Sequence, residues 1–138
     1  MDHHVAFSTQ FSADHPTAHT TSPFKFDQVI FNDGNAYDPI LGVFTAPFPG
    51  VYTFSLQIFT YGSERPVVDI RVNGRVAHRM ALDTTLLGSS QNGEDSDSMS
   101  VTLKLAQGDR VWVETITDNI SLWGSVHTFF TGTLLYST

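Results

Sequence analysis

The chain has 138 residues, of which 41% are hydrophobic and 15% are charged, and its formal net charge is −7. This length suits one domain with one core, and the hydrophobic fraction is too high for a disordered chain. The negative charge disfavours non-specific binding to nucleic acid or to an anionic membrane, and no apolar run is long enough to span a bilayer. The absence of cysteine excludes disulfides, thiolate zinc sites and thiol catalysis.

The first predicted strand lies near the N-terminus, where Val5, Phe7, Thr9 and Phe11 alternate with small or polar residues. A Pro-, Thr- and His-rich stretch over 13–23 interrupts this alternation. Strands are then expected near 24–31, 41–46, 52–58, 67–72, 76–82, 99–105, 110–116 and 127–136. Loops are expected at 61–66, 83–98 and 117–125. Short strands separated by turn signals predict an antiparallel β-sandwich.

One hairpin allows its register to be predicted. A two-residue turn at Asn73 and Gly74 would place Val76 on the wrong face, because side chains of a strand alternate with a period of two. A three-residue turn over 73–75 would instead place Val72 opposite Val76. We therefore predict the three-residue turn.

The same register has two consequences further from the turn. It places His78 opposite Ile70, with the imidazole facing the core. On the other face it brings Asp69 next to Arg79, which predicts a cross-strand ion pair.

A block over 26–54 carries aromatic residues, Asn and Gly at intervals that strand periodicity does not produce. These residues are Phe26, Asn32, Tyr37, Phe44, Gly50, Tyr52 and Phe54. The block resembles the core-and-turn pattern of the globular head of complement component 1q and its tumour-necrosis-factor-like relatives. The segments 103–112 and 130–135 resemble later strands of that family, whereas Leu56 and Thr133 replace aromatic residues that are usual there.

The resemblance implies an all-β fold, a ten-stranded antiparallel jelly-roll sandwich, in one head domain over 1–138. Residues 1–4 are expected to be disordered or to derive from expression. Family members are mostly secreted homotrimers without enzymatic activity, and stalkless heads are common in invertebrates such as bivalves. Residues 1–10 lack the features of a signal peptide, so a secreted form would carry its signal upstream.

The leading interpretation of function is a trimeric innate-immunity protein that binds microbial polysaccharide or lipopolysaccharide, including mannose-type sugars. Two alternatives stay open: a cytokine- or adipokine-like ligand for a cell receptor, and a module whose only role is trimerisation. No catalytic motif is present and the six histidines show no metal spacing, so we do not expect an enzyme.

Calcium is the only cofactor that the resemblance suggests, in the loop 61–66. Glu64 is the one carboxylate there, and the adjacent Arg65 opposes a cation, whereas calcium requires six to eight oxygen ligands. A second acidic cluster over 94–97 holds three carboxylates, but it lacks the spacing of a calcium loop. A solvated flexible loop is the favoured interpretation of that cluster.

Arginine is concentrated on one hairpin and its approach, at Arg65, Arg71, Arg75 and Arg79. Guanidinium groups suit phosphates and carboxylates, so the first three are candidates for binding lipopolysaccharide phosphates or acidic sugars. The alternative is a scattered set of surface arginines in which Arg79 pairs with Asp69.

Two aromatic residues are candidates for sugar binding. Trp123 follows Asp118 and Asn119 in one predicted loop, and Tyr61 lies near Glu64. Packing at the rim of the core is the alternative for both. Asn119 also begins an Asn-Ile-Ser acceptor sequence for N-glycosylation.

Overall fold

A computed structural model describes residues 3–62, 65–85 and 93–138. The regular structure within these ranges consists of strands, and no helix long and apolar enough to cross a membrane occurs there. The strands are β1 (Ala6–Phe11), β2 (Thr17–Ala18), β3 (Gln28–Asp33), β4 (Tyr37–Asp38), β5 (Val43–Thr45), β6 (Gly50–Gly62), β7 (Val67–Val72), β8 (Arg75–Ala81), β9 (Gly93–Leu105), β10 (Arg110–Thr115), β11 (Ile120–Leu122) and β12 (Ser125–Ser137).

The strands form two antiparallel sheets that pack face to face. The first sheet has the order β2-β11-β6-β12-β1-β3. β11 and β12 pair with successive parts of one side of β6, and β9 pairs along the other side. The second sheet has the order β4-β5-β10-β7-β8. The predicted all-β jelly-roll sandwich is confirmed. The described residues hold twelve strands rather than ten, because short pairings such as β2, β4 and β11 add elements of two or three residues.

The predicted strands at 67–72 and 110–116 are confirmed by β7 and β10. All three predicted loops are wrong in part. The loop predicted at 61–66 overlaps the end of β6, which runs to Gly62. The loop predicted at 83–98 is already strand from Gly93 onward, and the loop predicted at 117–125 contains β11. The polar side chains of 93–98 hide the strand from a hydrophobic pattern, yet β9 pairs with β6 continuously from Gly93 opposite Gly62 to Leu105 opposite Gly50.

The predicted three-residue turn between β7 and β8 is wrong. Val72 pairs with Arg75, so Asn73 and Gly74 form a two-residue turn with φ of 52° and 90°. Positive φ at both central residues is typical of the type I′ turn, which matches the twist of a hairpin. A bulge after this turn, where Arg71 pairs with Val76 and Ile70 with His78, supplies the extra residue instead.

Because the bulge restores the register, the predicted pairing of Asp69 with Arg79 is confirmed, and Arg79 Nε lies 2.7 Å from Asp69 Oδ1. His78 does lie opposite Ile70, but the prediction that it faces the core is wrong, because its side chain is exposed. β8 is the edge strand of its sheet, where the sandwich buries Met80 but leaves His78 exposed.

Aromatic rings fill the space between the two sheets. The ring of Phe7 lies 5.4 Å from that of Phe44 and 5.2 Å from that of Phe130, measured between centroids. Gly132 sits between such rings: a Cβ there would lie 2.5 Å from Phe7 Cε1 and 2.8 Å from Phe54 Cδ1. The aromatic residues of the 26–54 block, whose spacing in the sequence indicated the fold, are therefore residues of this core.

Candidate functional site

Part of the outer face of the first sheet, formed by β1, β12, β6 and β9, carries uncharged side chains; Asp33 on the neighbouring β3 lies beside it. Strand pairing arranges them in three rows: Gln10, Phe129, Gln57 and Ser98; Ser8, Thr131, Ser55 and Ser100; Ala6, Thr133, Thr53 and Thr102. None of these residues is charged. We call this surface the uncharged face.

Hydroxyl groups of the uncharged face bond to one another across strands. The Oγ atoms of Ser55 and Ser100 are 2.9 Å apart, and the Oγ1 atoms of Thr53 and Thr102 are 3.1 Å apart. A shallow concavity of about 550 Å³ lies at the centre of the face, beside Phe129. The hydroxyls thus satisfy part of their own hydrogen-bonding capacity, which lowers the cost of removing this surface from water.

The second sheet carries a charged network on its outer face. Asp69 is fully buried and accepts hydrogen bonds from Arg79 Nε at 2.7 Å and from Arg71 Nη2 at 2.9 Å. Arg71 also lies 3.3 Å from Glu114, which accepts a hydrogen bond from Trp112 Nε1. Burial alone raises the pKa of the Asp69 carboxyl, but the hydrogen bonds from the two guanidinium groups outweigh burial, and the pKa lies below its usual value.

The arginines named as anion-binding candidates therefore differ in their surroundings. Arg71 is held by Asp69 and Glu114 and is only 19% exposed, whereas Arg65 pairs with Asp83 at 3.3 Å and is 75% exposed. Arg75 is exposed and forms no ion pair with the residues that the structure describes. Arg65 and Arg75 are thus the two guanidinium groups of this set that a ligand can reach directly.

Tyr61 and Trp123 form one aromatic cluster at the end of the first sheet. Their ring centroids are 5.2 Å apart, and the rings of His15 and Phe59 lie 4.7 Å and 6.5 Å from that of Trp123. The indole Nε1–H of Trp123 is buried and donates to no acceptor among the described residues. We call these four residues and the adjacent His127 the aromatic cluster.

The polar residues predicted beside Trp123 lie in other surroundings. Asp118 and Asn119 are exposed in the turn before β11. The Oδ1 of Asn119 lies 2.7 Å from Nδ1 of His19, so the amide is directed toward the segment that carries β2. Tyr61 and Trp123, which were separate candidates in the sequence, thus lie in contact in the structure. Asn119 instead contacts His19.

The predicted calcium ligand Glu64 lies outside the described residues. The acidic cluster over 94–97, interpreted as a flexible loop, is instead part of β9. Successive side chains of a strand point to opposite faces, so its three carboxylates do not converge. Asp95 Oδ2 accepts a hydrogen bond from the backbone N–H of Asp83 at 2.9 Å, and no group of three His, Asp or Glu among the described residues is arranged to hold a metal ion.

Sequence reasoning missed the uncharged face. Its signal is the alternation of Thr53, Ser55 and Gln57 with buried apolar residues in β6, opposite a run of Ser and Thr in β9. Such a pattern indicates a strand with one polar face, but only the strand order shows that four neighbouring strands contribute to the same surface.

Comparisons with known proteins match this architecture. The family model described as "C1q domain" matches residues 6–135. Protein HP-25 homolog 1 of Bos taurus is 32% identical over 131 residues, which cover 94% of this chain and 58% of that protein. Complement C1q tumor necrosis factor-related protein 7 of Mus musculus is 30% identical over 135 residues, covering 95% of this chain and 44% of that protein. The chain thus spans about half the length of these relatives.

Solved structures agree at the level of the fold. The globular domain of zebrafish complement 1qA protein superposes with a TM-score of 0.74 at 20% identity, covering 99% of this chain and 100% of the other. The Eiger TNF of S. frugiperda superposes with a TM-score of 0.73 at 15% identity, covering 98% of this chain and 94% of the other. With the family model matching nearly the whole sandwich, the chain belongs to the C1q domain family.

Proposed function

We propose that this chain is a secreted, non-enzymatic recognition head that assembles as a homotrimer and binds microbial polysaccharide or lipopolysaccharide, including mannose-type glycans. The observation that carries the proposal is the uncharged face. Three consecutive rows without a charge across four strands, adjoining Asp33 on β3, are unusual for a surface that stays in water, because exposed faces are normally rich in Lys, Glu, Asp and Arg. Burial against further copies of the chain explains this composition.

Self-association also fits the energetics of this face. Burying Lys104 or Glu94, which lie beyond the three rows, would require a partner charge, whereas burying Ser, Thr and Ala does not. Phe129, in the first row and beside the concavity, supplies the aromatic contact that interface cores favour. A trimer would place three copies of every ligand site on one body and raise avidity for a repetitive microbial surface.

The ligand side of the proposal rests on the aromatic cluster and on Arg65 and Arg75. Tyr61 and Trp123 present adjacent rings at the end of the sheet, and sugar rings pack their CH groups on such faces. The Trp123 Nε1–H, which is buried without an acceptor among the described residues, would donate to a ligand hydroxyl only if the indole ring turned outward. The two accessible guanidinium groups suit the phosphates of lipopolysaccharide.

The proposal is tested by binding to a glycan array with matched tryptophan variants. Trp123→Phe removes the indole N–H and part of the ring, and we expect at least a fivefold loss of binding to mannose-type or lipopolysaccharide ligands. Trp112→Phe is the control, because Trp112 lies on the other sheet and donates to Glu114. Equal binding by both variants would refute the role of the aromatic cluster, and no binding by the parent protein would refute the ligand class.

A second candidate function is a ligand for a cell-surface receptor. It is favoured by the network of Asp69, Arg71, Arg79 and Glu114, which presents a fixed charge pattern on the outer face of the second sheet. Fixed charge patterns serve protein partners through electrostatic complementarity. Saturable binding to host cells, together with silence on the glycan array, would select this function.

A further inference from the structure

The segment between β1 and β3 encloses a pocket that neither the sequence motifs nor the aromatic cluster use. Its volume is about 250 Å³, and all of its lining residues come from 11–27. Pockets for drug-sized ligands occupy roughly 300–1,000 Å³, so this pocket suits a ligand of one ring. We call it the 11–27 pocket.

The walls of the 11–27 pocket are fixed to the rest of the domain. The carbonyl oxygens of Ala13, Asp14 and Pro16 accept backbone hydrogen bonds of 3.2, 2.8 and 3.0 Å from the start of β12, from Gly124 before it and from the end of β11. On the other side, the N–H of Phe24 donates to the carbonyl of Val113 in the second sheet at 2.8 Å. A site held in this way needs little ordering when a ligand binds.

The lining combines an apolar floor with a polar rim. Phe11, Ala18 and Phe24 are almost fully buried and form part of the floor, with Pro16 and Pro23 beside them. The rim carries both donors and acceptors: Ser12, Thr17, His19, Ser22, Lys25 and Asp27.

The carboxylate of Asp27 is held in a fixed orientation. Its Oδ1 accepts the backbone N–H of Ser12 at 3.0 Å, and its Oδ2 accepts the Ser12 hydroxyl. The backbone N–H of Asp27 also contributes a hydrogen bond, and because a carboxylate has about four acceptor positions, about one stays available to a ligand. Burial alone raises the pKa of Asp27, but the hydrogen bonds to the carboxylate, chiefly from Ser12, outweigh it, and the pKa lies below its usual value.

Two nitrogen groups complete the rim. Lys25 is exposed and has no ion-pair partner among the residues that the structure describes. His19 is anchored through Nδ1, 2.7 Å from Asn119 Oδ1, and a neutral ring that donates from Nδ1 leaves Nε2 as an acceptor. The rim therefore offers the ammonium group of Lys25 as a donor, serine and threonine hydroxyls, and two acceptors, the Asp27 carboxylate and the His19 ring.

We propose that the 11–27 pocket is a monosaccharide subsite that binds one pyranose ring. Its apolar floor would receive the CH groups of the ring, while Asp27 accepts and Lys25 donates hydrogen bonds to its hydroxyls. A free anion is a poorer fit, because the Asp27 carboxylate offsets the charge of Lys25 inside so small a space. The inference rests on the proposed glycan-recognition function, and it adds a second contact point whose lining contains no residue of the aromatic cluster.

The test is a titration of the ¹⁵N-labelled protein followed by amide chemical shifts, with methyl α-mannopyranoside, methyl α-galactopyranoside and N-acetylglucosamine as probes. We expect saturable shifts with millimolar dissociation constants, confined to residues 11–27, for at least one sugar. Asp27→Asn keeps the shape of the side chain and should weaken binding at least tenfold, and Lys25→Gln at least threefold. The matched controls Asp33→Asn and Lys104→Gln change exposed residues outside the pocket and should leave binding unchanged.

Other outcomes of the titration separate this inference from the proposed function. Shifts confined to Tyr61, Trp123 and their neighbours would overturn the monosaccharide subsite and leave glycan recognition standing, whereas no shift with any sugar would count against both. Equal shifts with cyclohexanol, or binding of sodium benzoate alone, would show an apolar void or an anion site and overturn the proposal. If Asp27→Asn unfolds the segment, a second variant replaces it in the test. Ser22→Trp fills the partly exposed rim of the pocket and should abolish the chemical-shift changes; unchanged shifts in this variant would overturn the proposal.

Discussion

Replacing Asp69 with Asn should destabilise the domain more than any other loss of a single charge on the second sheet. The carboxylate is fully buried and accepts three hydrogen bonds, from Arg79 Nε at 2.7 Å, Arg79 Nη2 at 3.0 Å and Arg71 Nη2 at 2.9 Å. Asn has the same shape but only one acceptor oxygen, so its NH₂ group would face a guanidinium donor. The variant therefore loses the electrostatic attraction between residue 69 and the two guanidinium groups, and its buried NH₂ group is a donor without an acceptor.

The magnitude follows from the exposure of the partners. Removing one member of a buried ion pair costs about 3–5 kcal/mol when the remaining charge stays buried. Here the side chain of Arg79 is 48% exposed and can regain water, while that of Arg71 is 19% exposed and keeps Glu114 as a second partner. We therefore expect a loss of about 2–3 kcal/mol in the free energy of unfolding.

Urea denaturation at neutral pH, followed by tryptophan fluorescence at one protein concentration, measures this loss. Asp33→Asn is the control, because Asp33 is exposed and should change stability by less than about 0.5 kcal/mol. A loss below about 0.5 kcal/mol in Asp69→Asn would refute the assigned role of the network.

The pH dependence of the free energy of unfolding provides a second test of the role of Asp69. The pKa of Asp69 is lowered in the folded state, so its contribution is fully present above the unfolded pKa of about 3.9 and is lost as the pH falls through the lower folded value. The gap in stability between the parent protein and Asp69→Asn should therefore narrow only below about pH 4. A gap that narrows between neutral pH and pH 5 would contradict the assignment.

Two further predictions concern the core and the uncharged face. Gly132→Ala should cost at least about 2 kcal/mol, because the added methyl group would overlap the buried rings of Phe7 and Phe54; denaturation that matches the parent protein would contradict this packing. Thr131→Lys places a charge at the centre of the uncharged face and should convert the assembly into folded monomers, whereas Thr45→Lys, on the exposed side of the second sheet, should leave the mass unchanged.

The sequence predicts the fold well because its signal lies in residues that have one structural role. Phe44, Tyr52 and Phe54 are fully or almost fully buried, so their spacing reflects which positions of β5 and β6 face the core. The pairing of Asp69 with Arg79 could also be predicted, since cross-strand register propagates along a hairpin. The turn itself could not, because a two-residue turn with a bulge and a three-residue turn lead to the same register beyond the bulge.

The candidate site is harder to predict for a physical reason. The uncharged face is built from strands that are distant in sequence, and a Ser or Thr in any one of them resembles an ordinary solvent-exposed residue. The joining of Tyr61 to Trp123 depends on the pairing of β6 with β11, a strand of three residues inside a predicted loop. The 11–27 pocket is formed by irregular backbone, which carries no periodic signal.

Assembly through the uncharged face predicts the mass of the protein in solution. Light scattering coupled to size-exclusion chromatography at micromolar concentration should give about 46 kDa, three times the 15.3 kDa of one chain. The variant Thr131→Lys should elute as a folded species of 15.3 kDa. A parent protein of 15.3 kDa under the same conditions would contradict the claim.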